Sequence, residues 1–214
     1  MIEEIENPDP IKFYRLINTG TIGKYCDKWS QKDISYGGKF SFPVVSRYSF
    51  NNTLGKSYTK RASRPKIIFK GLNLLDGCID ENAEILPGKS TIVICSENIS
   101  LLKFLLGLLN SKLPIFYVKT KYSSSSYCGG ITFSKDMINN FPIPPTIGAS
   151  IQQRPIISLV DKILAAKKSN PQADTSAWER EIDLLVYRLY GLTYDEVLVV
   201  DPGTAVTREE YESK

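Results

Sequence analysis

Basic side chains interleaved with aromatic rings, and free of any acidic neighbour, supply most of the chemistry visible in this chain. One acid-free stretch covers residues 34–75 and holds Lys39, Arg47, Lys56, Lys60, Arg61, Arg64, Lys66 and Lys70, with Tyr36, Phe40, Phe42, Tyr48, Phe50 and Tyr58 among them. A second covers residues 98–135 and holds Lys103, Lys112, Lys119, Lys121 and Lys135, with Tyr117, Tyr122 and Tyr127. Phosphates are drawn to such surfaces, and rings, amides and guanidinium forks among the charges then read bases. Two clusters are the candidate DNA contacts. The first is Lys56, Ser57, Tyr58, Thr59, Lys60, Arg61 and Arg64, with Arg47 upstream. The second is Lys119, Lys121, Tyr122, the serines 123–126 and Tyr127. Lysines would hold phosphates as point charges, an arginine would reach the paired acceptors of guanine, and Tyr58 would stack or wedge. Composition alone leaves a merely solvated basic face as an equal alternative.

Other chemistries are poorly supplied. The chain has no histidine, which removes Ser/His and Cys/His nucleophile pairs and the commonest base near neutral pH. Cys26, Cys78, Cys95 and Cys128 are widely spaced with no CxxC pair, so idle or buried thiols in a reducing compartment are expected, and no metal. Asp76, Asp80, Glu81 and Glu84 fall in one polar segment. Without an apolar strand to converge them they are expected to solvate a turn, not to hold the metal of a nuclease. Residues 19–24 (TGTIGK) lack the spacing of a phosphate-binding loop and read as a plain turn.

At 214 residues, 42% apolar and 23% charged, the chain can bury a sizeable core. Its longest apolar runs, 101–109 and 156–166, are interrupted by Lys103, Asp161 and Lys162 and fall short of the ~20 apolar residues of a spanning helix. The acidic residues 1–9 do not resemble a secretory leader. A soluble, cytoplasmic protein without membrane contact is expected. The net charge of +4 conceals a polarity: residues 1–70 carry thirteen Lys or Arg against six Asp or Glu, and residues 174–214 carry four against ten. The acidic end is expected to lie away from DNA.

The elements that must position these residues read as α+β: a mixed twisted sheet with a buried helix, followed by a C-terminal helical hairpin. Residues 9–17 are expected to form a short helix, with Ile11, Tyr14 and Ile17 at helical spacing behind Pro10. β-like runs follow at 40–45, 47–50, 65–69, 84–86 and 90–95, with an Asn51-Asn52 turn and a Pro87-Gly88 turn between them. Residues 99–110 (ISLLKFLLGLLN) are apolar nearly all round, the pattern of a buried helix capped by Asn98 or Ser100, and 115–118 are expected to return to strand. The serine run reads as an exposed loop, and 141–145 (FPIPP) must be extended. Residues 156–167 and 175–190 form the amphipathic hairpin. Gly191 is its C-cap, Thr193 caps a short helix through Val199, and the tail from Asp201 is expected to fray.

Four segments in this order resemble the target-recognition domain of TaqI-like adenine-specific DNA methyltransferases, including the fused type IIG restriction-modification enzymes. They are 17–25 (INTGTIGKY), 64–69 (RPKIIF), 105–117 (LLGLLNSKLPIFY) and 140–145 (NFPIPP), and the helical ending is matched at 181–197 (EIDLLVYRLYGLTYDEV). The likeness covers about residues 17–200 and says nothing about the target sequence. It implies a non-catalytic specificity domain that presses duplex DNA against a methyltransferase catalytic domain, in cis or in trans. There the target adenine is flipped out and methylated from S-adenosylmethionine, so the cofactor is expected on the catalytic domain and none on this chain. The chain would then be the C-terminal part of a longer protein, or a separate subunit. No [DNS]PP[YFW] motif occurs; residues 7–10 (NPDP) place Asp9 at the second proline and Pro10 at the stacking ring, and read as a capping turn. On this likeness the chain divides into a lead-in at 1–18, a recognition domain at 19–147, a helical hairpin at 148–200 and a charged tail at 201–214. The competing expectation is a protein-interaction domain that docks on a methyltransferase or helicase partner, its basic surface incidental.

Overall fold

The computed structural model describes residues 2–72, 75–122, 126–127, 130–144 and 152–213, with the backbone alone at 126–127 and 130–131. In chain order the strands are β1 (Ile2–Glu4), β2 (Phe13–Ile17), β3 (Ile22–Gly23), β4 (Cys26–Asp27), β5 (Ile34–Ser35), β6 (Lys39–Phe40), β7 (Pro43–Ser46), β8 (Lys66–Lys70), β9 (Gly77–Asp80), β10 (Ile85–Pro87), β11 (Thr91–Cys95), β12 (Ser126–Tyr127) and β13 (Gly130–Ile131). The helices are α1 (Arg47–Thr53), α2 (Lys56–Ala62), α3 (Ile99–Asn110), α4 (Lys112–Lys121), α5 (Lys135–Asn139), α6 (Gln153–Ser169), α7 (Ser176–Leu189), α8 (Tyr194–Val200) and α9 (Arg208–Glu212). The expected α+β class, with a mixed sheet, a buried helix and C-terminal helices, is the one observed.

The centre of the molecule is the antiparallel sheet β11-β8-β9. Its strands are β-branched and aromatic, and alternation sends their side chains to two different cores. Ile67 and Phe69, with Ile79, Ile92 and Ile94, face the helices, where Leu102, Leu106, Ile156, Val160, Ile182 and Val186 form the largest cluster. Ile68, Cys78 and Val93 face the other way, against Ile17, Ile22 and Ile85. Those residues belong to a second sheet, β1-β7-β2-β10, antiparallel except for the β2/β10 pair, or to its flank. Beyond it a third cluster joins Tyr14, Leu16, Ile34, Val45, Phe50 of α1 and Ala62 of α2. The order of layers is therefore helices, central sheet, second sheet, then α1 and α2. The turn from β10 to β11, Pro87–Ser90, ties the two sheets together.

Several elements differ from the sequence expectation, each because tertiary pairing outweighs local pattern. Residues 9–17 make a single turn, the Asp9 carbonyl accepting the amides of Lys12 and Phe13, and then become β2, because β7 and β10 pair with them on both sides. Residues 47–53 are helical, not a strand and a turn: Ser46 accepts the Ser49 amide at 3.4 Å, and only Phe50 is buried. Residues 115–118 lie within α4, whose Pro114 sits in the first turn where no amide is needed. The tail does not fray. Tyr211 of α9 is buried, its hydroxyl donates to the Leu192 carbonyl at 2.8 Å, and Arg188 holds its carbonyl at 3.1 Å.

The buried helix matches its expectation closely, with the Asn98 side chain accepting the Leu101 amide at 3.0 Å as its cap. So does the hairpin's end, where Gly191 takes φ +67 and Thr193 closes a capping box on α8. No single helix among the described residues is long and apolar enough to cross a membrane.

Candidate nucleic-acid interface

The first basic cluster is a helix, α2, and not a loop. Gly55 starts it, Ala62 is its one buried residue, and Lys56, Ser57, Tyr58, Lys60 and Arg61 are exposed. Tyr58 is 59% exposed. The Arg61 guanidinium lies over its ring at 4.9 Å and donates from Nε to the Ser57 carbonyl at 3.3 Å, so the two side chains stiffen each other and leave the outer guanidinium donors free. Among the described residues no carboxylate pairs with Lys56, Lys60 or Arg61.

Of the other cations of this stretch Lys39 is exposed, and Arg47, Arg64, Lys66 and Lys70 are each tied to partners within the protein. Arg47, grouped with the DNA contacts by the sequence, stacks on the Tyr14 ring at 3.9 Å and donates to the Ala83 carbonyl at 2.8 Å; it braces the 80–84 turn. Arg64 pairs with Glu97 at 2.6 Å and Lys70 with Asp76 at 2.6 Å. Lys66 is fully buried and bonded to Asp80 at 2.6 Å. The acidic segment thus does more than solvate a turn. Residues 77–80 form β9, and Asp80 accepts the amides of Glu84 and Ile85, each at 2.9 Å, besides its lysine.

Beside α2 opens a hollow of about 480 Å³ lined by Tyr36, Phe50, Leu54, Tyr58, Arg61, Ala62, Leu86, Pro87, Gly88, Lys89, Thr91 and Val93. A second, of about 490 Å³, is lined by Asn18, Thr19, Gly20, Ser35, Tyr36, Gly37, Leu72, Lys89 and Ser90. Tyr36 and Lys89 line both, so the two hollows adjoin at the β10–β11 turn as the two parts of a groove. Neither holds an acidic residue. Hollows elsewhere do: Glu6 and Glu84 in one, Asp27, Asp80, Glu81 and Glu84 in another, Glu181, Asp183 and Asp201 in a third. Lys32 adds a cation beside Gly20. The junction is held tightly. The Lys89 amide donates to the Tyr36 hydroxyl at 2.9 Å, and a Cβ at Gly88 would stand 2.3 Å from that oxygen and 2.8 Å from the Ile17 carbonyl. Only glycine lets Tyr36 close on this turn.

The second basic cluster divides. At the far end of the groove Leu72 bridges to Thr132, and the Phe133 amide donates to the Gly71 carbonyl at 2.9 Å, which roots the β12–β13 hairpin there. Tyr127 lies in that hairpin, but its side chain is outside the described atoms, and serines 123–125 are outside the described residues altogether. Lys119 and Lys121 end α4, in the helical layer. Lys119 is exposed; Lys121 bonds the Tyr117 hydroxyl at 2.6 Å and sits over the rings of Tyr117 and Tyr122, at 5.0 and 5.7 Å. The hydrogen bond to the Tyr117 hydroxyl, with the Tyr117 and Tyr122 phenols close by, holds the Lys121 pKa above its ordinary value. Neither lysine lines the groove.

Sequence reasoning missed Lys89 and Lys32, which stand outside both acid-free stretches, and counted Tyr36 among the rings of the first stretch without placing it in either contact cluster. Their one signal was the Pro87-Gly88 turn between two strands. Among the described residues no group of His, Cys, Asp or Glu is arranged to hold a metal ion, and Cys26, Cys78 and Cys95 are free thiols. Burial raises the pKa of Cys78 and of Cys26, which makes poor nucleophiles of both. The chain matches no protein-family model and no curated protein.

Proposed function

We propose that this chain is a non-catalytic, sequence-reading DNA-binding domain of the kind that supplies specificity to an adenine-N6 DNA methyltransferase of a restriction-modification system. One observation carries the DNA-binding part: the acid-free groove that begins at α2, passes Tyr36 and Lys89, and ends at the root of the β12–β13 hairpin. A polyanion meets cations along its whole length and no carboxylate to repel it. The methyltransferase setting rests on the resemblance of the four sequence segments. In this role Lys56, Lys60 and Lys89 hold phosphates, Arg61 reads a base edge with Ser57 and Tyr58 beside it, and Lys119, Lys121, Tyr122 and Tyr127 form an outlying contact. Arg47 and Arg64 serve the scaffold. S-adenosylmethionine would belong to the catalytic partner domain.

The test is selection from a random duplex pool, followed by anisotropy titration with the winner and with scrambled duplex. Lys56→Ala with Lys60→Ala should weaken binding to both duplexes alike. Arg61→Ala should instead shrink the gap between them, by the roughly 1–3 kcal/mol that a guanidinium on a base edge contributes. Binding that survives all three substitutions unchanged, or no duplex binding at low salt, would overturn the assignment.

A further inference from the structure

We infer that the hollow between α2 and β11 receives a single nucleotide unstacked from a polynucleotide strand. The inference rests on the DNA-binding reading and names what one part of that surface holds. The hollow's size, about 480 Å³, is that of pockets that bury one small molecule; a duplex cannot enter it. Its floor is apolar, built from Phe50, Leu54, Leu86 and Val93, which suits the face of a base and offers nothing to a phosphate. Tyr58, 59% exposed at the edge, is a ring on which a base can stack without regard to its identity. Lys89 and Arg61 stand at the rim with no carboxylate partner among the described residues, the lysine positioned for a phosphate beside that base and the guanidinium, held over Tyr58, for the edge of the base itself. An apolar floor with two cations and no acid complements a nucleotide's own division into flat base and charged backbone. It is a poor match for an extended apolar peptide, which would leave both cations unanswered.

The experiment uses the full chain and fluorescence anisotropy at fixed salt, with one fully paired duplex and four derivatives, each carrying one of the four bases as a single-nucleotide bulge. At least one bulged duplex should bind about five- to a hundredfold more tightly than the paired one, the range expected from stacking one base on an aromatic ring. Leu54→Trp, which fills the hollow from a position 37% exposed, should erase that preference, so that paired and bulged duplexes bind the variant within about twofold of each other, with its thermal melt unchanged. Independently of folding, a 5-iodouracil bulge irradiated on the unmodified protein should crosslink to Tyr58 or Tyr36. Equal affinity for paired and bulged duplexes overturns the inference and leaves duplex binding standing. A preference that persists in folded Leu54→Trp, or a crosslink mapped outside the hollow, overturns it too. So does displacement of the bulged duplex by an acidic peptide whose own binding Leu54→Trp blocks, since the hollow is then a peptide site. Absence of all nucleic-acid binding removes both the inference and the reading beneath it.

Discussion

Lys66 uses all three of its ammonium protons inside the protein: on Asp80 at 2.6 Å, on the Ala62 carbonyl at 2.9 Å and on the Arg64 carbonyl at 3.1 Å. The last two are carbonyls at the end of α2 and just beyond it, so one buried side chain caps the basic helix and fastens it to the central sheet. Asp80 in turn spends its other contacts on the amides of Glu84 and Ile85, at the start of β10. A buried pair of this kind adds little over an apolar pair of the same shape, but loss of one partner strands a charge out of water. Lys66→Met or Asp80→Asn should therefore each lower unfolding free energy by about 3–5 kcal/mol in urea titration. The double variant should lose clearly less than the sum of the two, and α2 amides should exchange faster in Lys66→Met. Additive losses would mean that the two groups do not depend on each other. Composition could not reveal this role, because a lysine in an acid-free stretch looks like surface until the fold brings Asp80 across from the next strand.

Elements were legible where one helix or strand carries its own signal, and illegible where a neighbour decides. The pattern of α3 is self-contained: apolar residues all round and Asn98 in front. β2 is different, since Tyr14 and Ile17 satisfy helical spacing as well as they satisfy the alternation that β7 and β10 impose. Residues 115–118 were misread for a related reason, their β-branched and aromatic content hiding a helix whose first amide is capped from elsewhere. The cap is Asp183 of α7, which accepts the Lys112 amide at 2.9 Å from a position 5% exposed. Burial pushes its carboxyl up to about 6 against the opposing pull of that amide, Lys24 and Lys112, with Asp201 adding to the rise. An unfolded aspartate titrates near 3.9, so between about pH 4 and pH 6 the folded chain keeps a proton that the unfolded chain has released. Stability contributed by this group is present at pH 4 and lost as the pH rises through 6, on the order of 3 kcal/mol in all. Asp183→Asn retains the acceptor and drops the charge. Its unfolding free energy at pH 4 should match the parent's, and at pH 7 should exceed it by up to that amount. A parent and variant with parallel pH profiles would sink the assignment.

At the scale of the whole molecule, charge polarity was the most readable feature, and its placement the least. The sequence shows a basic first third and an acidic end, yet which cations remain available depends on pairs that cross the chain: Arg64 with Glu97, Lys70 with Asp76, Lys103 with Glu81 and Asp161, Lys112 with Asp201. After these pairings the cations left on or next to the groove are Lys32, Lys56, Lys60, Arg61 and Lys89, and the first and last of them belong to neither basic stretch. The pairings make the salt dependence of DNA binding a test of the whole arrangement. If Arg61 reads a base and each of the four lysines neutralises one phosphate, the groove alone should make the logarithm of the association constant fall with the logarithm of salt with a slope of about −3.6. Lys89→Ala should reduce it by about 0.9, as should Lys60→Ala, whereas Lys112→Ala, already tied to Asp201 at 2.6 Å, should leave it unchanged. Glu181→Gln and Glu209→Gln, on the helices of the acidic end, should leave it unchanged as well. A docking domain with an incidental basic surface gives a shallow slope with any partner, and one insensitive to Lys89. A slope near zero, or one that responds to Lys112 as strongly as to Lys89, would place the nucleic acid on some other face of the protein.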